Sequence, residues 1–187
     1  MRSLDRVSCH KMLDIHKASL TDIPALLGLI NSYAANGIML PRTEFEMAEN
    51  IRDFLVAYDD GRLVGTGALH FYTPTSGEVR SLAVEPGEKT RGIGRKLVEA
   101  LEDEARQHDL HSLFAFTYVD KFFMKLGFEE VDRAELPLKA WKDCLRCPKF
   151  QACDEIAMLK RLKPGAMPSA VRRFQIAEFP QLPVLRK

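Results

Sequence analysis

The sequence is poor in cysteine and tryptophan and has no long apolar run. Its 187 residues include four cysteines and one tryptophan. Four thiols are too few for a disulfide scaffold in a chain this long, so stability has to come from a packed core. No apolar run approaches the roughly 20 residues that span a bilayer. The start, Met1 to Lys11, lacks the apolar centre of a secretory signal. A cytoplasmic protein is expected. Charge of one sign is missing too, since 27 lysines and arginines stand against 26 aspartates and glutamates. Net charge therefore favours neither nucleic acid nor an anionic membrane as partner, and any charge-based function has to be local.

What is present fits one domain, because a chain of this length buries roughly two thirds of the surface it exposes when unfolded. There is no internal repeat and no low-complexity stretch. Residues 1–11 read as a short polar extension. Pro164, Pro168, Pro180 and Pro183 mark residues 163–187 as an arm outside the fold. The working domain is residues 12–162.

Within it, Leu13 to Ala18 alternates like a strand. Ile23, Leu26, Leu27, Ile30 and Ala34 then recur at helical spacing, with Thr21 placed to cap the helix, Pro24 in its first turn and Gly37 at its end. A second helical stretch runs from about Glu44 to Ile51. Asp59, Asp60 and Gly61 separate two apolar runs, 54–58 and 63–71, which is a hairpin signal. Strands are expected at 79–84, 113–117, 128–131 and 155–159, and helices at 92–107 and 119–126. This order predicts an α/β fold: a mixed antiparallel and parallel central sheet flanked by helices.

The most informative stretch is EVRSLAVEPGEKTRGIGRKLVEALEDEAR, residues 78–106. A strand ends at Val84 and is followed by Lys89, Thr90, Arg91, Gly92, Ile93 and Gly94. Leu97, Val98, Leu101 and Ala105 then give the next helix one apolar face. Unpaired N–H groups at a helix start attract an anion, glycine lets the backbone approach it, and the helix dipole adds favourable charge. Lys89, Arg91 and Arg95 would contribute full charges. The turn is not a Walker loop, since no G-K-[ST] follows, nor a dinucleotide fingerprint, since Leu97 replaces its third glycine.

The run V-R-S-L-A-V-E-P followed by K-T-R-G-I-G-R-K-L resembles the acetyl-CoA-binding motif of the GNAT acyltransferases, Q/R-x-x-G-x-G/A, over Lys89 to Gly94. Lys89 departs from the usual Gln or Arg, and Thr90 stands where glycine is common. F-F-M-K-L-G-F, residues 122–128, is similar to the second signature of that superfamily. The resemblance covers residues 13–160. It implies acetyl-CoA as cosubstrate, with the main chain of Leu82, Ala83 and Val84 along the pantetheine arm. The phosphate side would be Lys89, Thr90, Arg91, Gly92, Ile93, Gly94 and Arg95. Glu78 then stands where relatives keep a general base, and a main-chain N–H near residues 82–84 would face the oxyanion. Phe123 occupies a position where many members have a tyrosine, and a phenyl ring cannot donate a proton. Tyr118, at the end of the preceding strand, is the candidate acid.

Further segments, D-I-P-A-L-L-G-L-I-N, N-G-I-M-L-P-R, G-A-L-H and G-E-V-R-S-L-A-V, resemble the acetyltransferase domain of N-acetylglutamate synthases, especially short bacterial forms. That likeness implies a small amino-acid substrate, L-glutamate first, as in arginine biosynthesis. A dicarboxylate acceptor requires cations on its side of the site. Arg80 lies two residues from Glu78 on the same strand face, and its guanidinium is suited to a bidentate carboxylate clamp. His70, Asn31, Arg42 and Lys142 are further candidates for binding substrate. His70 stands where longer synthases have lysine, and Asn31 where they have arginine, which leaves glutamate against glutamine open. Other amines (peptide, lysine, antibiotic) and a catalytically silent CoA-binding module also remain open, as does a homodimer. Cys144, Cys147 and Cys153 form C-x2-C-x5-C, compatible with free thiols, a redox pair or, with Cys9 or His10, a metal site.

Overall fold

The computed structural model describes residues 13–136 and 147–163. Seven strands form one sheet in the order β1-β2-β3-β4-β5-β7-β6. They are β1 Asp14–Lys17, β2 Phe54–Asp59, β3 Arg62–Thr73, β4 Ser76–Val84, β5 Ser112–Thr117, β6 Glu129–Glu130 and β7 Ile156–Arg161. All neighbours are antiparallel except β4 and β5. Helices α1 (Ile23–Ala34), α2 (Glu44–Asn50), α3 (Ile93–Gln107) and α4 (Asp120–Met124) flank this mixed sheet as expected.

The sheet buries both faces. Ile93, Leu97, Val98, Leu101 and Ala105 of α3 pack on Leu69, Val79 and Val84. On the opposite face Ile23, Leu26, Leu29 and Ile30 of α1, with Met47 of α2, pack on Phe54, Val56, Ala68 and Ala83. Each buried leucine- or isoleucine-sized side chain contributes about 1.5–3 kcal/mol from surface removed from water, which makes these helical stripes the main support of the sheet. The β2–β3 hairpin turns on Asp60 and Gly61, both at positive φ (+50° and +75°), the backbone of a two-residue primed turn.

Three local expectations change. A 3-10 turn, Leu20–Asp22, precedes α1. Ser19, not Thr21, closes that start: its main-chain N–H and its hydroxyl both donate to Asp22 Oδ2, at 2.7 and 2.8 Å. Helix α1 stops at Ala34, before Gly37, whose N–H donates to Ala34 O at 2.9 Å. The expected 119–126 helix and 128–131 strand shorten to Asp120–Met124 and Glu129–Glu130, because Gly127, at φ +85°, turns the chain between them.

Two irregularities in β4 shape everything functional. First, Thr66 pairs with Ala83 but Ala68 pairs with Arg80, so Gly67 faces both Ser81 and Leu82, and Ser81 takes φ +52°. This extra residue is a β-bulge, which changes the phase of the side-chain alternation. Glu78, Arg80 and Ala83 therefore share the α1–α2 face, whereas Val79, Leu82 and Val84 face α3. Second, the parallel pairing of β4 with β5 runs from Ser76↔Ser112 to Glu78↔Phe114 and stops. Beyond it β4 keeps only β3, and β5 keeps only β7, among the described residues. The two strands part as a wedge that exposes main-chain hydrogen-bonding groups of β4.

Candidate active site

The wedge leads to the N-terminus of α3. Gly92 takes φ +75°, a left-handed conformation that costs other residues about 1 kcal/mol or more, and it is the N-cap residue of the helix. The first intrahelical bond is Lys96 N–H to Gly92 O at 3.1 Å. The amides of Ile93, Gly94 and Arg95 therefore have no partner within the helix and form the positive end of its dipole. A β-carbon at Gly94 would lie 3.4 Å from the Phe122 ring of α4 and 3.6 Å from Val84. The open β4 edge and the bare first turn thus adjoin, which suits a ligand that pairs with an extended strand at one end and carries phosphate at the other.

Cationic groups around this turn are not equivalent. Arg91 donates to Asp59 at 2.5 Å and to Glu88 at 2.7 Å. Its charge is balanced by these acids. The Lys89 ammonium lies 5.2 Å from the centre of the Tyr33 ring, and the Tyr33 hydroxyl donates to Val84 O at 2.5 Å. Arg95 and Glu99 are both about half exposed and 3.7 Å apart, a loose pair that leaves Arg95 able to meet an anion. Thr90 lies in the 3-10 segment Pro86–Arg91 before the cap. Leu82 and Val84 pack their side chains against the α3 core.

A different kind of site lies where the strands meet. Glu78 is 1% exposed and stands directly opposite His70 on β3. His70 Nδ1 is 2.6 Å from Asp53 Oδ2, and Arg80 Nη2 is 3.6 Å from the same oxygen. Four ionisable side chains from three separate elements thus gather on the α1–α2 face. Asp53 was not among the sequence candidates. It ends the 3-10 turn that follows α2 and reaches His70 across 17 positions of sequence, a link without a local motif.

The remaining candidates divide. Asn31 donates to Arg42 O at 3.0 Å and accepts from Arg42 N–H at 2.8 Å, so it fixes the segment that leads into α2 and positions Arg42. Tyr118 follows β5 on the far lip of the wedge and is 37% exposed. Its hydroxyl donates to Asp154 at 2.8 Å and accepts from Lys149 at 3.0 Å. Burial raises its phenol above the ordinary tyrosine value and the Asp154 hydrogen bond adds to this, against an opposing Lys149, so it keeps its proton at neutral pH. Phe123 is core, stacked edge-on with Phe122 and Phe128. Cys147 and Cys153 are free thiols, and among the described residues no group of three or more side chains is arranged to hold a metal ion. Lys142, Cys144, Cys9 and His10 lie outside the described residues. No helix among the described residues is long and apolar enough to cross a membrane.

Residues 27–128, which include the bulged strand, the wedge and the amide-lined turn, match the acetyltransferase (GNAT) family. The chain belongs to that family and is a GNAT-type N-acetyltransferase with acetyl-CoA as cosubstrate. It is 41% identical over 148 residues to an uncharacterized N-acetyltransferase of Chlorobaculum tepidum, covering 79% of this chain and 96% of that one. It is 32% identical over 135 residues to an amino-acid acetyltransferase of Mycobacterium tuberculosis, covering 71% and 77%. Among solved structures it resembles N-acetylglutamate synthase from Neisseria gonorrhoeae complexed with coenzyme A and N-acetyl-glutamate, with TM-score 0.74 and 28% identity. That match covers 81% of this chain and 35% of the synthase, so the chain spans about a third of its length.

Proposed function

We propose that the chain acetylates the α-amino group of an acidic amino acid, L-glutamate first. The observation that carries this reading is the buried corner of Arg80, Asp53, His70 and Glu78, which sets a guanidinium and a carboxylate on one strand face where the wedge closes. Likeness to the amino-acid acetyltransferase of M. tuberculosis and to the N. gonorrhoeae synthase supports the same substrate class.

Acetyl-CoA then lies with its pantetheine along the main chain of Leu82 to Val84 and its pyrophosphate on the amides of Gly92 to Arg95. An ammonium has no lone pair, so Glu78 first removes a proton from the acceptor. The free amine attacks the thioester carbonyl, a main-chain N–H near residues 82–84 meets the oxyanion, and the thiolate leaves. Tyr118, on the opposite lip, gives a proton to sulfur, and the second proton lost by the nitrogen replaces it. Arg80 pairs with an acceptor carboxylate, and Arg42, held by Asn31, lies at the entrance to α2.

The test is release of free thiol from acetyl-CoA across the twenty amino acids. Glutamate should give the highest kcat/KM. A best rate with glutamine would retain the class and move the acceptor, and a best rate with a peptide N-terminus, a lysine side chain or an aminoglycoside would replace it. Thermal stabilisation by acetyl-CoA without thiol release from any amine would identify a silent CoA-binding module.

A further inference from the structure

A buried base has a difficulty that the acetyl-transfer scheme leaves unsolved. At neutral pH the balanced reaction is ammonium plus acetyl-CoA giving amide, coenzyme A thiol and one proton. The new bond joins nitrogen to the acetyl carbon, and the broken one is carbon to sulfur. The nitrogen loses two protons and the leaving thiolate takes one. One proton per turnover must therefore reach water, and Glu78, at 1% exposure, has almost no surface from which to release it.

We propose that His70, held by Asp53, is the proton outlet of the active site; this rests on the N-acetyltransferase reading above. His70 stands opposite Glu78 in the β3–β4 ladder. Directly paired residues on one face of such a ladder have Cβ atoms about 4.5–5.5 Å apart, which brings a glutamate and a histidine within reach directly or through one water. The His70 side chain is 21% exposed, so it stands opposite the buried base and still reaches solvent.

The imidazole is oriented for this role. Nδ1 is 2.6 Å from Asp53 Oδ2, and the same carboxylate has the Arg80 guanidinium at 3.6 Å. A carboxylate oxygen accepts, so the imidazole nitrogen that faces Asp53 Oδ2 is the one that carries the hydrogen. Nε2, which makes no hydrogen bond to the described residues, then carries the lone pair. Protonated Glu78 passes its proton to Nε2, Asp53 stabilises the imidazolium, and the imidazolium releases the proton to water or buffer. The Tyr72 ring, edge-on to His70 at 5.1 Å between centroids, limits rotation of the imidazole. Asp53 is a positioning residue here, acting through His70.

The experiment is chemical rescue in the full chain. His70→Ala should lower kcat about 10-fold or more with the acetyl-CoA KM unchanged, and imidazole buffer should restore the rate saturably. His70→Gln, which fills the space, should show a similar loss and no response to imidazole. Asp53→Asn should lose part of kcat while keeping acetyl-CoA affinity. Acetyl-CoA affinity by calorimetry identifies any variant that has lost its fold. A raised acceptor KM without response to imidazole would assign His70 to acceptor recognition and overturn the outlet, as would an unaltered kcat. If the unmutated chain released no thiol with any amine, the acetyltransfer reading would fall as well, so the two failures are told apart by the parent protein.

Discussion

The two halves of the site are built on opposite principles. The turn Gly92 to Arg95 offers main-chain amides on an exposed helix end, whereas the corner of Asp53, His70, Glu78 and Arg80 offers side chains in a mostly buried cluster. The first comes from one contiguous run of sequence and needs little more than a helix that starts on a left-handed glycine. The second needs three elements in register and a bulge that sets the strand phase. A cradle for a constant ligand can rely on the backbone, because every acyl-coenzyme A carries the same pyrophosphate. Recognition of a particular acceptor has to use side chains, and a buried charge is tolerated there only with partners at hand.

This contrast can be broken at either end. The largest effect should come from the base: Glu78→Gln keeps shape and should lower kcat about 100-fold or more while acetyl-CoA affinity stays nearly the same. A small loss that disappears at high pH would show instead that the amine deprotonates in solution and that Glu78 only positions it.

Arg80 tests whether the corner reads the acceptor. Removing the charged partner of a desolvated carboxylate costs about 2–5 kcal/mol, so Arg80→Ala should raise the glutamate KM at least about tenfold in steady-state kinetics. Arg80→Lys should recover only part of this, since an ammonium lacks the planar fork. Loss of acetyl-CoA binding with glutamate spared would move Arg80 to the cofactor half.

The cradle should give the smallest of these changes. Gly94→Val puts a branched side chain in the first turn of α3, between Phe122 and Val84, and should weaken acetyl-CoA about tenfold, or about 1.4 kcal/mol, by calorimetry. A β-carbon there makes ordinary contact with Phe122 and Val84 at 3.4 and 3.6 Å, so the melting temperature serves as the control for packing. Unchanged affinity would remove the helix start from the cosubstrate site.

Some of this was legible in the residues alone, because the forces responsible act over short spans of chain. Helical spacing from Ile23 to Ala34 and over the expected 92–107, the Asp-Gly turn and the glycines before α3 each record a local backbone requirement, and each element formed there, with the cap and the end of α1 shifted by a few residues. The site residues were harder. Arg80 and Glu78 share a face because they precede the bulge, but the residues after Ser81 change sides, and no local pattern marks a bulge made of serine and leucine. Arg91 reads as a phosphate ligand in the motif and is balanced in three dimensions by Asp59, 32 positions away. Asp53 carries no motif, and its meaning comes only from the β2–β3–β4 ladder that brings His70 and Arg80 to it. The sequence by itself determined the class of fold and the helix that starts on a left-handed glycine, since both depend on periodicity and backbone freedom. Tertiary structure alone decided which charges are shared, buried or left for a ligand, because ion pairing depends on distances across the sheet that sequence separation does not encode.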